Sequence, residues 1–131
     1  MIGVDTNVLV RYVMQDDPAQ ARTATRFLGN LTSQQPGHIS AVVLAELARV
    51  LASTYGATRA ELANAIEKLL ATDALIVQHV DCAPRALAAL RTTGADFADA
   101  FVAAIDLKAG CPATVTFDKD AARHAGMRLL T

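Results

Sequence analysis

MIGVDTNVLV (residues 1–10) is an apolar run broken at Asp5-Thr6-Asn7 before it turns apolar again. Met1 to Asp5 reads as a short buried strand, and Asn7 to Met14 as a helix capped by Asp5 or Thr6. In open α/β sheets ligands bind just past the carboxyl ends of strands, where loops and helix N-termini converge. A carboxylate in that position, flanked by hydrophobic residues, asks for a partner.

The remaining sequence repeats the alternation. Asp16-Asp17-Pro18 starts a helix with an acidic cap and Pro in its first turn, running to about Leu31. Thr32 to Gly37 is a loop, and His38-Ile39-Ser40 a brief strand. Ala41 to Ser53 is apolar on nearly every side except at Glu46 and Arg49, which predicts a buried helix. Thr58-Arg59-Ala60-Glu61 is a capping-box start for a helix to about Thr72, with a strand at Leu75 to Val77. Asp81 to Leu90 is helical and closes at Thr92-Thr93-Gly94. Asp96 to Ala109 is a further helix stopped by Gly110 and Pro112. Thr114 to Phe117 is β-branched, and a last helix and strand finish at Leu130. Strands alternating with helices predict a mostly parallel sheet covered on both faces, an α/β sandwich, formed by residues 1–131 as one domain.

Bulk composition narrows the function classes. The chain is 53% hydrophobic and 19% charged, which describes a helix-rich globule and excludes a disordered chain. Its formal net charge of −1 offers no general attraction to phosphates, so any nucleic-acid contact must be local. Cys82 and Cys111 form no C-x-x-C spacing and suit a reducing cytosol. Asp5 and Arg11 interrupt the first hydrophobic stretch, and Glu46 and Arg49 the longest one. Neither a signal peptide nor a span of roughly 20 apolar residues is expected, and the protein reads as soluble and cytoplasmic.

Several acids fall at one sheet edge in this reading. Asp5 and Asp118 end strands, Glu46 sits on the helix after the second strand, and Asp96 and Asp99 open the helix before the strand that carries Asp118. Two carboxylates about 4 Å apart repel by roughly 4 kcal/mol at an effective dielectric near 20, so such a cluster needs protons or a cation. Oxygen ligands without Cys or His select Mg²⁺ or Mn²⁺ over zinc.

Each acid also has a plainer reading. Asp5 and Asp96 can be helix N-caps. Glu46 can pair with Arg49 at i+3, although Val42, Val43, Leu47 and Val50 argue against its full exposure. Asp99 shares a helix side with Asp96, while Phe101, Val102 and Ile105 supply packing. Asp118 and Asp120 compete for the last helix cap, and Asp118 is assigned to the site because it ends the strand. Asp106 reads as a surface charge, and Asp16, Asp17, Asp73 and Asp81 as turn or cap residues. The histidines at 38, 79 and 124 are isolated.

VDTNVLVRYV at the start, SAVVLAEL around Glu46, DFADAFVAAIDLKAGC around Asp99 and TVTFDKDAARHAG around Asp118 together give the chain its likeness. It resembles the PIN-domain ribonucleases, in particular the toxin component of VapBC-type toxin–antitoxin pairs, over essentially its whole length. The resemblance implies a PIN-like three-layer α/β/α sandwich with a short sheet. It implies Asp5, Glu46, Asp99 and Asp118 as the acidic site for Mg²⁺ or Mn²⁺, with Asp5, Asp99 and Asp118 as metal ligands. Thr6, Asn7, Asp96 and Thr116 would support them. The implied reaction is endoribonucleolytic hydrolysis of an RNA phosphodiester, and the implied partners are an RNA substrate, a small antitoxin that wraps the toxin and can bring an Arg near the acids, and a second copy in a homodimer. Arg11, Arg49 and Lys119 are candidates for holding the RNA backbone. The helices Ala19 to Leu31 and Leu62 to Leu70 are candidate partner surfaces.

Three other readings compete. A non-catalytic PIN-like module would bind RNA or protein without cutting. A Mg²⁺-binding phosphoacceptor domain would need paired acids after the first strand and a late strand-end Lys, and VDTN offers one acid. A haloacid-dehalogenase-type phosphatase would need Asp-x-Asp there, where Asn7 stands instead.

Overall fold

The computed structural model describes residues 1–131. In chain order its elements are β1 (Ile2–Gly3), α1 (Thr6–Met14), α2 (Pro18–Gly29), β2 (Gly37–Ile39), α3 (Ala41–Ser53), α4 (Arg59–Leu70) and β3 (Leu75–Val77). A 3-10 turn (Val80–Cys82) then leads to α5 (Ala83–Thr93), α6 (Phe97–Lys108), β4 (Val115–Thr116), α7 (Lys119–His124) and β5 (Arg128–Leu129). No helix is long and apolar enough to cross a membrane.

All strand pairs are parallel, as the helical crossovers require, and the chain forms the expected α/β sandwich. The strands divide into two small sheets. One holds β1, β2 and β3 with β2 in the middle, and the other pairs β4 with β5. The register sets Ile2 opposite Gly37 and Gly37 opposite Leu75, so Gly37 sits where three strands crowd together. A Cβ there would stand 2.9 Å from Leu31 Cδ1 and 3.0 Å from Leu75 Cδ2, a distance no side chain tolerates without movement.

Side-chain oxygens start most of the helices. Asp5 caps α1, Asp17 caps α2, Ser40 caps α3, Asp96 caps α6 and Asp118 caps α7. Thr58 and Glu61 complete the reciprocal capping box of α4.

A core of 25 buried residues runs from Val4 to Ala125. Phe97 and Phe101 stack at its centre with ring centroids 5.4 Å apart, a pair worth about 0.5–1.5 kcal/mol beyond area burial. Leu44, Leu47, Ala48 and Leu51 form the buried stripe of α3. That stripe leaves the opposite side of α3 in solvent: Val42 is 74% exposed, and Glu46, one turn on, is exposed too. The apolar neighbours of Glu46 therefore do not bury it. On α6 Phe97 and Phe101 carry the packing, whereas Val102 faces outward at 43% exposure. Leu62, Ile66 and Leu69 of α4 are core residues, which removes the apolar side of that helix from the candidate partner surfaces.

Candidate active site

Local backbone chemistry places the acids before any question of catalysis arises. Asp5 Oδ1 accepts the backbone N–H of Thr6 at 2.8 Å, which holds the carboxylate at the end of β1 where α1 begins. Asp96 Oδ1 accepts from Asp99 N at 2.9 Å. Asp118 Oδ1 accepts from Asp120 N at 2.8 Å and Ala121 N at 3.2 Å, while its own N–H donates to Thr116 Oγ1 at 3.0 Å. Asp118 thus wins the cap over Asp120, and Thr116 supports it through the backbone.

Two groupings result. Asp5 and Glu46, from β1 and α3, line one concavity of about 280 Å³ together with Thr6, Asn7, Arg11 and Tyr55. Asp96, Asp99 and Asp118, from α6 and the end of β4, form the other. Asp99 feels both of its neighbours: its carboxyl is held above the ordinary value of 3.8, first by burial and then by the charge of Asp96, with Asp118 adding to the effect. Helix α3 joins the two groupings, since it packs on both α1 and α6. From it Arg49 Nη2 reaches Asp99 Oδ1 at 2.9 Å and Asp96 Oδ1 at 3.7 Å, opposing the upward pull on Asp99. Arg49 is therefore a partner of α6 and not of Glu46 on its own helix.

No three carboxylates, imidazoles or thiols stand close enough together to share a metal ion. The nearest cation to Asp99 is the Arg49 guanidinium. The donor chemistry nevertheless fits a hard divalent ion. The set offers oxygen only, and Asp5, Glu46 and Asp118 are exposed, so their carboxylates can turn without disturbing the core. Thr6 Oγ1 is also buried with no hydrogen-bond partner, directly beside Asp5. An unpaired buried hydroxyl costs about 1–3 kcal/mol, and it is an unused donor and acceptor at the site.

Other residues have roles that spacing did not signal. Tyr55 Oη donates to Asp16 Oδ2 at 2.8 Å, and Arg11 contacts Asp16 at 3.1 Å, Gln20 at 2.7 Å and Tyr55 at 3.2 Å. Asp16, in the turn between α1 and α2, is also a network residue. Arg11, engaged on three sides, is tied into the wall of the groove. Asp106 is half-buried and accepts from Thr114 Oγ1 at 2.7 Å, where a free surface charge was expected. Asp81 pairs with Lys108 Nζ at 2.9 Å, and His79 Nδ1 lies 3.5 Å from the same amine. Cys82 is buried and Cys111 exposed, both as free thiols.

Short parallel strands, an α/β sandwich and acids capping the helices that leave the strand ends define a PIN-type architecture. The PIN domain family matches residues 2–127, and the chain belongs to that family. No curated protein matches the chain.

Proposed function

We propose that the protein is a metal-dependent endoribonuclease, the toxin of a VapBC-type toxin–antitoxin pair acting in the cytoplasm. The observation that carries this reading is Asp99, a half-buried carboxylate set between Asp96 and Asp118 in a PIN domain. PIN domains are commonly Mg²⁺-dependent nucleases, and an acid held above its ordinary value by burial first and by its acidic neighbours second is a candidate site residue.

Asp5, Asp99 and Asp118 would hold Mg²⁺ or Mn²⁺, which supplies positive charge to the phosphodiester and acidifies an attacking water. Glu46, exposed on the same groove as Asp5, would complete the negative charge of the site and help to position water there. Thr6 and Asn7 orient polar groups at the mouth of α1, and Thr116 with Asp96 keeps Asp118 and Asp99 in register. Arg49 and Lys119, both exposed, hold the RNA backbone; the three-sided anchoring of Arg11 favours a structural task for that residue.

The same proposal includes an antitoxin and a homodimer. A groove of about 780 Å³ between α1 and α2, lined by Val8, Ala19, Ala24 and Phe27 and reaching Asp5, suits the apolar side of a partner helix. The test is incubation of the purified chain with structured RNA, single-stranded RNA and DNA, in Mg²⁺, Mn²⁺ or chelator. Metal-dependent cleavage of RNA supports the reading; intact RNA under every condition contradicts it.

A further inference from the structure

Arg49 is the one basic side chain in ion-pair contact with these acids. We propose that it is a built-in counter-ion, which holds the cation's place at Asp99 and swings away when a divalent ion binds. The inference rests on the metal-dependent reading above.

Three observations carry it. The first is occupancy: Nη2 lies 2.9 Å from Asp99 Oδ1 and 3.7 Å from Asp96 Oδ1, so the guanidinium already neutralises the acid that would be a principal ligand. A guanidinium and a divalent ion on one carboxylate are like charges a few ångströms apart, and Asp99 has little solvent around it to screen them, its side chain being 22% exposed. The second is mobility. The Arg49 side chain is 59% exposed and makes no other hydrogen bond, so leaving Asp99 opens no part of the core. The third is position, because Arg49 stands on α3 one turn from Glu46. Released there, it faces solvent at the rim, where an anionic substrate approaches.

Coupling of this kind is reciprocal: if the ion weakens the Arg49–Asp99 pair, removing the pair tightens the ion by the same factor. The full chain is titrated with Mn²⁺ alone, free Mn²⁺ being counted by electron paramagnetic resonance, for the native protein, Arg49→Gln and Arg49→Lys. Arg49→Gln binds about tenfold tighter, and Arg49→Lys, which keeps the charge, stays within about threefold of the native affinity. In parallel the Arg49 Nε–H resonance is followed by ¹⁵N NMR as Mg²⁺ is added, and it moves with the midpoint of Mg²⁺ binding. Equal affinity of the native protein and Arg49→Gln, or an unmoved Arg49 resonance at saturating Mg²⁺, overturns the counter-ion role and leaves metal dependence standing. Absence of Mn²⁺ binding in all three proteins overturns both.

Discussion

Asp96 Oδ1 accepts the backbone N–H of Asp99 at 2.9 Å, so the residue that starts α6 also presses its charge on the next acid along it. One side chain thereby performs two tasks: it satisfies an orphan donor of the helix, and it raises its neighbour's affinity for a proton or a cation. Much of the site is built this way, from caps.

The cost falls on stability and has a definite sign. Asp99 is held above its ordinary value of 3.8, by burial first and the charge of Asp96 second. Between the unfolded and folded values the folded chain binds more protons, so its stability falls as pH rises through the folded value. Asp99→Asn removes that cost. In chelator at pH 7 its Tm is expected above native, with the gap closing as pH falls from the folded value to 3.8. Thermal melts across pH check it, and identical Tm values at neutral pH would count against the arrangement.

Asp16 carries the opposite sign. The Tyr55 hydroxyl, chiefly, holds its carboxyl below the usual 3.8, so its contribution is present above that value and is lost as pH falls through the folded one. Tyr55→Phe takes away the main cause. Followed by circular dichroism, that variant should melt below the native chain at pH 7 and above, with the gap closing as pH falls through the folded value of Asp16; equal melts at neutral pH would contradict the assignment.

For Asp118 the substitution chosen determines what is learned. Asp118→Ala deletes the cap of the six-residue α7 and costs about 1 kcal/mol, confounding folding with chemistry. Asn caps nearly as well as Asp. Asp118→Asn is therefore expected to melt close to native and still cleave RNA at least about a hundredfold more slowly; melting and single-turnover cleavage measured on one preparation separate the two effects.

Thr6 offers a trade between stability and activity. Its hydroxyl is buried without a partner at 5% residue exposure, so Thr6→Val should stabilise the metal-free chain by about 1 kcal/mol. If the hydroxyl serves the site, cleavage drops in the same variant. Denaturant unfolding and an RNA assay together read both quantities, and a loss of stability would mean that the hydroxyl has a partner in solution.

Local signals in the sequence were strong and long-range ones were weak. Asp17-Pro18 and the Thr58/Glu61 box mark helix starts within a residue of their observed places, because capping depends only on groups three positions apart; Ser40, read as the end of a strand, is the cap of α3. Asp5, Asp96 and Asp118 were visible for the same reason. The Tyr55–Asp16 bond joins residues 39 apart and the Arg49–Asp99 bond residues 50 apart; no spacing rule reaches that far. Glu46 misled because the count of apolar neighbours ignores which side of α3 faces inward. The split into two sheets was likewise hidden, since β4 and β5 are two residues each and carry too little pattern to specify partners.

The central claim is that acids from separate segments act through one divalent ion to cut RNA. Single-turnover cleavage of RNA against Mg²⁺ concentration, for the native chain beside Asp5→Asn and Asp99→Asn variants that melt as folded proteins, tests it most directly. The account predicts saturable Mg²⁺ dependence, abolition by chelator and a loss of at least about a hundredfold in each variant. Cleavage that persists in chelator, or variants that cut at the native rate, would contradict it.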